Sequence, residues 1–142
     1  MICFFDTSAL IKKYINELGT ELVRFRLQST SVVVSSVAKI ECISVISRMT
    51  ANHEMSAEEF NNMQRQIEKD FSIYEVVPFS EATEKIAMEM VKKHLLRTLD
   101  AIQLASALSV HDLNYFFVSD IKLKVSGKAE GLSVIDPNET QP

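Results

Sequence analysis

Ile2-Cys3-Phe4-Phe5-Asp6-Thr7-Ser8 is the stretch on which the reading of the fold turns. Four apolar residues end abruptly on three whose side-chain oxygens cap helices, so the pattern predicts a buried strand running straight into a helix. The alternation then repeats down the chain. Residues from about Glu17 to Gln28 are amphipathic, and Ser31-Val32-Val33-Val34-Ser35 is a β-branched second strand, after which Ser36 can cap a helix reaching about Met49. Ser56 and Glu59 have the spacing of a capping box and open a polar helix to about Asp70. Ile73 to Val77, closed by Pro78, reads as a third strand, and Ser80 with Thr83 and Glu84 opens a helix to about His94. From Thr98 to His111, apolar residues recur at Ala101, Leu104, Ala105 and Leu108, the spacing of one buried helix face. Tyr115 to Val118 is the fourth strand, Ile121 to Lys128 a short helix, and Leu132 to Ile135 the fifth strand, ahead of Asp136-Pro137.

Strands alternating with helices predict an α/β sandwich with a mostly parallel central sheet. The chain has 142 residues, enough for one domain, which we place at residues 1–137, with 138–142 as a short flexible C-terminal tail. Hydrophobic residues make up 46% and charged residues 24%, with three glycines and three prolines, a profile of a compact, helix-rich chain rather than a disordered one. Cys3 and Cys42 lie far apart in apolar runs and read as reduced core thiols, not as a disulfide or a zinc site. No apolar run approaches the ~20 residues of a membrane helix, and the opening residues lack the charged flank of a signal peptide. The expectation is a soluble cytoplasmic protein with no membrane partner. A formal net charge of −4 excludes nucleic-acid binding through a generally basic surface, so local patches or bound cations would have to supply the attraction.

Chemistry concentrates in acids. Ligands of open parallel sheets sit at the carboxyl ends of the strands, and Asp6 and Asp120 each follow an apolar strand directly. Each could equally be a helix N-cap. Glu41 lies in Val37-Ala38-Lys39-Ile40-Glu41-Cys42-Ile43-Ser44-Val45-Ile46, which is apolar almost all round, as a buried helix would be. A carboxylate there needs a cation, a hydrogen-bonding partner or a shifted pKa, and an ordinary ion pair with Lys39 or Arg48 would also satisfy it. Asp100 stands in the first turn of its helix, where the helix dipole alone favours an acid. Four carboxylates brought to one end of a sheet repel one another unless divalent cations hold them, and oxygen ligands suit Mg²⁺ or Mn²⁺. His53, His94 and His111 are isolated and have no assigned role.

Asp6-Thr7-Ser8-Ala9-Leu10-Ile11-Lys12-Lys13-Tyr14 resembles the opening motif of PIN-domain ribonucleases, particularly the VapC-type toxins of bacterial and archaeal toxin–antitoxin pairs. Ser36-Val37-Ala38-Lys39-Ile40-Glu41 is similar to their second motif and Leu99-Asp100-Ala101-Ile102-Gln103-Leu104-Ala105 to their third. Phe117-Val118-Ser119-Asp120-Ile121-Lys122-Leu123, then Gly131-Leu132-Ser133-Val134-Ile135-Asp136-Pro137, resemble the fourth motif and the closing strand. The motifs span nearly the whole chain in the family's order. One position departs: the family often carries Thr or Ser two residues before its last acid, where this chain has Val118, with Ser119 adjacent.

The resemblance implies a PIN-like three-layer α/β/α sandwich and an Mg²⁺- or Mn²⁺-dependent endoribonuclease that cuts RNA by a metal-activated water. Asp6, Glu41, Asp100 and Asp120 then correspond to the metal-binding acids and Ser8 to a supporting hydroxyl. It also implies a small cognate antitoxin and a homodimer; the apolar content around Leu10-Ile11 and Val37 to Met49 is consistent with partner surfaces. Lys12, Lys13, Arg48, Lys92, Lys93 and Arg97 are candidates to hold the RNA backbone. A catalytically silent PIN-like module that binds RNA or protein is the alternative, opposed by the complete set of acids. A haloacid-dehalogenase-type phosphatase also begins strand-Asp, but it needs a second Asp where this chain has Ser8.

Overall fold

The computed structural model describes residues 1–139. Its sheet has five strands, β1 (Ile2–Phe5), β2 (Ser31–Ser35), β3 (Glu75–Val77), β4 (Tyr115–Phe117) and β5 (Val134–Ile135), all parallel and ordered β3-β2-β1-β4-β5. Around it stand α1 (Thr7–Leu10), α2 (Thr20–Ser29), α3 (Ser36–Ala51), α4 (Ala57–Phe71), α5 (Glu81–His94), α6 (Thr98–Leu108) and α7 (Ile121–Ala129), with one 3-10 turn at Ile11–Lys13. This is the α/β/α sandwich expected from the sequence.

The layers follow from the two-residue period of the strands. Cys3, Phe5, Val32, Val34 and Phe117 point to one side, where Ala9, Leu10, Val23, Ala38, Cys42, Ile46, Ile67 and Phe71 cover them. Phe4, Val33, Phe116 and Val118 point to the other, against Ala87, Met90, Ala101, Leu104, Ala105 and Leu123. Phe5 and Phe117 stack with ring centroids 4.6 Å apart, joining neighbouring central strands. Cys3 and Cys42 are free thiols in the same buried cluster.

Element ends differ from the sequence reading where cap chemistry or packing moves them. Ser35, not Ser36, caps α3, its hydroxyl accepting from the Val37 amide at 3.3 Å. The capping boxes at Ser56/Glu59 and Ser80/Thr83 form as expected. Helix α6 stops at Leu108 rather than His111, because the Ser109 hydroxyl takes the Ser106 carbonyl and Asp112 turns the chain at φ 57°. Strand β3 begins at Glu75 rather than Ile73, since the amides of Ile73 and Tyr74 still bond back to the Asp70 carbonyl at the end of α4.

The C-terminal segment is tied to the body through two lysines. Lys12, 4% exposed, donates to Glu17 at 2.9 Å and Asn138 at 2.8 Å, and Lys124 donates to Asp136 at 2.9 Å and Glu139 at 2.8 Å. The tail expected at 138–142 lies outside the described residues from position 140 on. Gly19, which precedes α2 at φ 89°, packs so closely that an added Cβ would sit 2.4 Å from the Pro137 carbonyl oxygen. Gly131 shares that φ but has nothing within 4 Å. In urea unfolding, Gly19→Ala should therefore cost at least about 3 kcal/mol, from backbone overlap added to a left-handed conformation. Gly131→Ala should cost only about 1–2 kcal/mol, from the conformation alone.

Candidate active site

Asp6, Glu41 and Asp120 lie towards one edge of the sheet because β1, β2 and β4 each hand the chain to a helix there, and Asp100, in the first turn of α6, is near enough for its charge to act on Asp6. Asp6 leaves β1 beside β4, its amide donating to the Phe117 carbonyl at 3.0 Å, and its own carbonyl starts α1 by accepting from Ala9 and Leu10. Its carboxylate accepts from the Ser8 amide at 3.0 Å and the Ser8 hydroxyl at 2.5 Å. Asp120 caps α7, accepting from the Leu123 amide at 2.8 Å. Both are helix caps, and capping does not exclude a further role at this edge of the sheet.

Ser8 joins the first acid to the last. Its hydroxyl donates to Asp6 and accepts from the amides of Ser119 at 2.9 Å and Asp120 at 3.2 Å, which uses the full bonding capacity of a hydroxyl. Val118, at the position where the resemblance led us to look for a hydroxyl, is fully buried in the core, and Ser119 serves the cluster through its backbone.

Glu41 is half-buried. Helix α3 is not buried all round: only Ala38, Cys42 and Ile46 are fully inside, and Ile40 is 72% exposed. Among the described residues no cation pairs with Glu41. Its Oε1 accepts instead from the Thr7 hydroxyl at 3.0 Å and the Gln103 amide at 2.8 Å, and Gln103 also donates to Thr7 at 2.9 Å. Thr7 and Gln103 were not identified in the sequence. Gln103 had a discernible signal, as a polar residue inside the otherwise apolar run Ala101 to Ala105.

Two of the acids are raised by burial and, after it, by the charges of other acids. Burial pushes the Asp6 carboxyl up to about 7; the Ser8 hydrogen bonds oppose that rise, and the charges of Glu41 and Asp100 add to it. Asp100 is also raised, first by burial and then by Asp120 and Glu41, against the pull of Arg97 and Lys122. A buried carboxyl among like charges either keeps its proton or takes a cation in its place.

The donor set suits a hard divalent ion, being carboxylates with hydroxyl support and no histidine. Among the described residues, no three acidic, histidine or cysteine side chains converge as a ready-made cage.

Of the six basic residues expected to hold RNA, Arg97 is the one whose charge reaches Asp100. Lys12 is buried against Glu17 and Asn138, Lys13 pairs with Asp70, Lys92 with Glu89 and Lys93 with Glu130. Arg48 bonds the Ser44 hydroxyl further along α3. Arg97 and Lys122 are the basic side chains whose fields reach Asp100. Lys122, two residues after Asp120, was missed in the sequence. A groove of about 490 Å³ between α5 and α6, lined by Phe79, Met88, Val91 and Thr98 among others, contains none of the four acids.

The family model described as "PIN domain" matches residues 3–124, which include all four acids. The chain belongs to the PIN-domain family. This PIN domain is 28% identical over 135 residues to Ribonuclease VapC45 of Mycobacterium tuberculosis, covering 94% of each chain. Among solved structures, it is similar to the "Toxin-antitoxin complex from Klebsiella pneumoniae", with TM-score 0.69, 17% identity and coverage of 97% of this chain and 99% of that one. It is also similar to Mycobacterium tuberculosis VapC20, described as a "Sarcin-Ricin loop cleaving toxin", with TM-score 0.66, 15% identity and coverage of 92% and 95%. At these identities the two structures establish the likeness of fold.

Among the described residues, no helix of this PIN domain is long and apolar enough to cross a membrane. Leu10 is buried in its own core, and the half-buried Ile11 packs against it. The exposed apolar side chains beside the site are instead Ile40, Leu99 and Ile121, each next in sequence to one of the acids.

Proposed function

We propose that this chain is a divalent-metal-dependent endoribonuclease, the toxin of a toxin–antitoxin pair, with Asp6, Glu41, Asp100 and Asp120 as its metal-binding acids. The observation that carries the reading is geometric: Ser8 ties the Asp6 carboxylate to the Asp120 amide, and Glu41 accepts from Thr7, next to Asp6, with no cation paired to it among the described residues. The names of the similar proteins, a ribonuclease, a toxin–antitoxin complex and a loop-cleaving toxin, support the substrate class and the partner.

When bound, Mg²⁺ or Mn²⁺ supplies charge neutralisation at the phosphodiester and a water acidic enough to attack it near neutral pH. The protein's part is to hold the acids. Ser8 orients the Asp6 carboxylate and, through the Ser119 and Asp120 amides, sets its distance from α7. Thr7 and Gln103 orient Glu41. The charges of Arg97 and of Lys122, whose ammonium donates to the Leu95 carbonyl at 2.7 Å, reach Asp100 and would attract RNA phosphates to an otherwise acidic site. A small antitoxin would lie over the same face, meeting the acids with an Arg and the exposed Ile40, Leu99 and Ile121 with apolar side chains. The protein would act as a homodimer.

Purified protein should cut single-stranded or loop RNA with Mg²⁺ or Mn²⁺ and stop in excess chelator, leaving 5′-phosphate and 3′-hydroxyl ends. Expression should arrest growth, and the co-expressed partner should relieve it. Full activity in chelator would reject the metal-dependent reading. Harmless expression of a folded, active enzyme would reject the toxin reading.

A further inference from the structure

Gln103 is fully buried in α6, where the neighbouring positions Ala101, Ile102, Leu104 and Ala105 pack as ordinary core. Its side-chain Nε2 reaches Glu41 Oε1 at 2.8 Å and Thr7 Oγ1 at 2.9 Å. The hydrogen-bond directions are forced. Thr7 has a single hydroxyl proton, which it donates to Glu41 at 3.0 Å, so its lone pair must receive a proton from Gln103. Turning the amide over would set its carbonyl against the carboxylate oxygen.

The result is a closed triangle of three side chains from α1, α3 and α6, two of whose members donate to the same carboxylate oxygen. It comes at a cost. Gln103 Oε1 is buried with no hydrogen-bond partner among the described residues, and stranding a buried carbonyl is unfavourable. Leucine or methionine would fill the same space without that cost. What neither can do is present an N–H pair to Glu41 and Thr7.

We infer that Gln103 is a positioning residue that fixes the Glu41 carboxylate and thereby sets the affinity of the acidic site for a divalent cation. The inference rests on the reading of Glu41 as a metal-binding acid. Gln103 itself touches neither metal nor RNA; it acts through Glu41, from the second layer of groups around the site, where loss of such a partner typically weakens metal binding 10–100-fold. Thr7 shares the task, so the effects of the two should be coupled rather than additive.

The test uses Gln103→Met, which preserves volume and removes the donor. Mn²⁺ binding to the full chain is measured by calorimetry, and side-chain order at Glu41 by ¹³C relaxation of labelled glutamate in chelator. The expected result is a folded variant whose Mn²⁺ affinity falls about 10–100-fold and whose Glu41 side chain loses order. Affinity within about twofold of wild type, with Glu41 as ordered as before, would overturn the inference. If Gln103→Met does not fold, Thr7→Val removes the other donor of the triangle and is judged by the same two measurements. If wild type itself binds no Mn²⁺, the metal reading of the site fails, and Glu41 order alone decides: its loss in the variant supports positioning, and its retention overturns it.

Discussion

In excess chelator, the wild-type protein should lose stability as the pH rises from about 4 to about 8, and Asp6→Asn should remove most of that loss. The Asp6 carboxyl is raised from 3.8 to about 7, chiefly by burial, with the charges of Glu41 and Asp100 adding to the rise. Below pH 4 the group is protonated in both folded and unfolded chains and contributes nothing. Between the two values the folded chain keeps a proton that the unfolded chain has released, so stability falls with increasing pH. Above the folded value the full penalty applies. A shift of about three units, at 1.36 kcal/mol each, makes it about 4 kcal/mol. Asparagine carries no charge, and its carbonyl can still accept from the Ser8 amide and hydroxyl, so the variant should stay folded with a flatter profile. Its ribonuclease activity should fall by more than the roughly 100-fold that loss of a ligand's outer partner can already cause. Asp100→Asn should act in the same directions with a smaller change in stability, because solvent reaches Asp100 and screens its neighbours. Urea unfolding of both variants at pH 5 and pH 8, beside a cleavage assay, makes the comparison. An unaltered pH profile in Asp6→Asn, or full activity in either variant, would remove that residue from the site.

Glu41→Gln should leave the chelated protein as stable as wild type or slightly more so, while nearly abolishing cleavage. Had Glu41 been one half of a buried ion pair, its loss would strand a cation at a cost of roughly 3–5 kcal/mol. Its partners among the described residues are the Thr7 hydroxyl and the Gln103 amide, and a glutamine carbonyl can accept from both. The metal response separates the outcomes further. Wild type should gain about 2.7 kcal/mol when Mn²⁺ is present at a hundredfold excess over its Kd, and the variant less, because it has lost a charged ligand. Thermal melts of both proteins in chelator and through a Mn²⁺ titration decide the matter. Large destabilisation in chelator with an unchanged metal response would mean that Glu41 is structural.

What the sequence determined by itself is what depends on chain neighbours. The apolar Ile2–Phe5 run, the β-branched Val32–Val34, and the capping boxes at Ser56 and Ser80 act over a few residues, so strands and helices could be placed to within two or three positions. Asp6 and Asp120 were legible for the same reason, since each terminates a strand and caps the helix that follows. The strand order β3-β2-β1-β4-β5 was not in the sequence pattern, because the β1–β4 pairing joins segments more than a hundred residues apart. Nor was the fate of the basic residues. Lys12 reads as an exposed cation beside the first motif and is instead buried by Asn138, 126 residues away. The sequence allows Glu41 an ion pair as readily as the partners it has, Thr7 and Gln103, which reach its carboxylate from 34 and 62 residues distant. Caps and periodicities are set by bonds between near neighbours, whereas partner choice for a buried charge is set by whatever the packed layers bring within about 3 Å, and only the tertiary structure decides that.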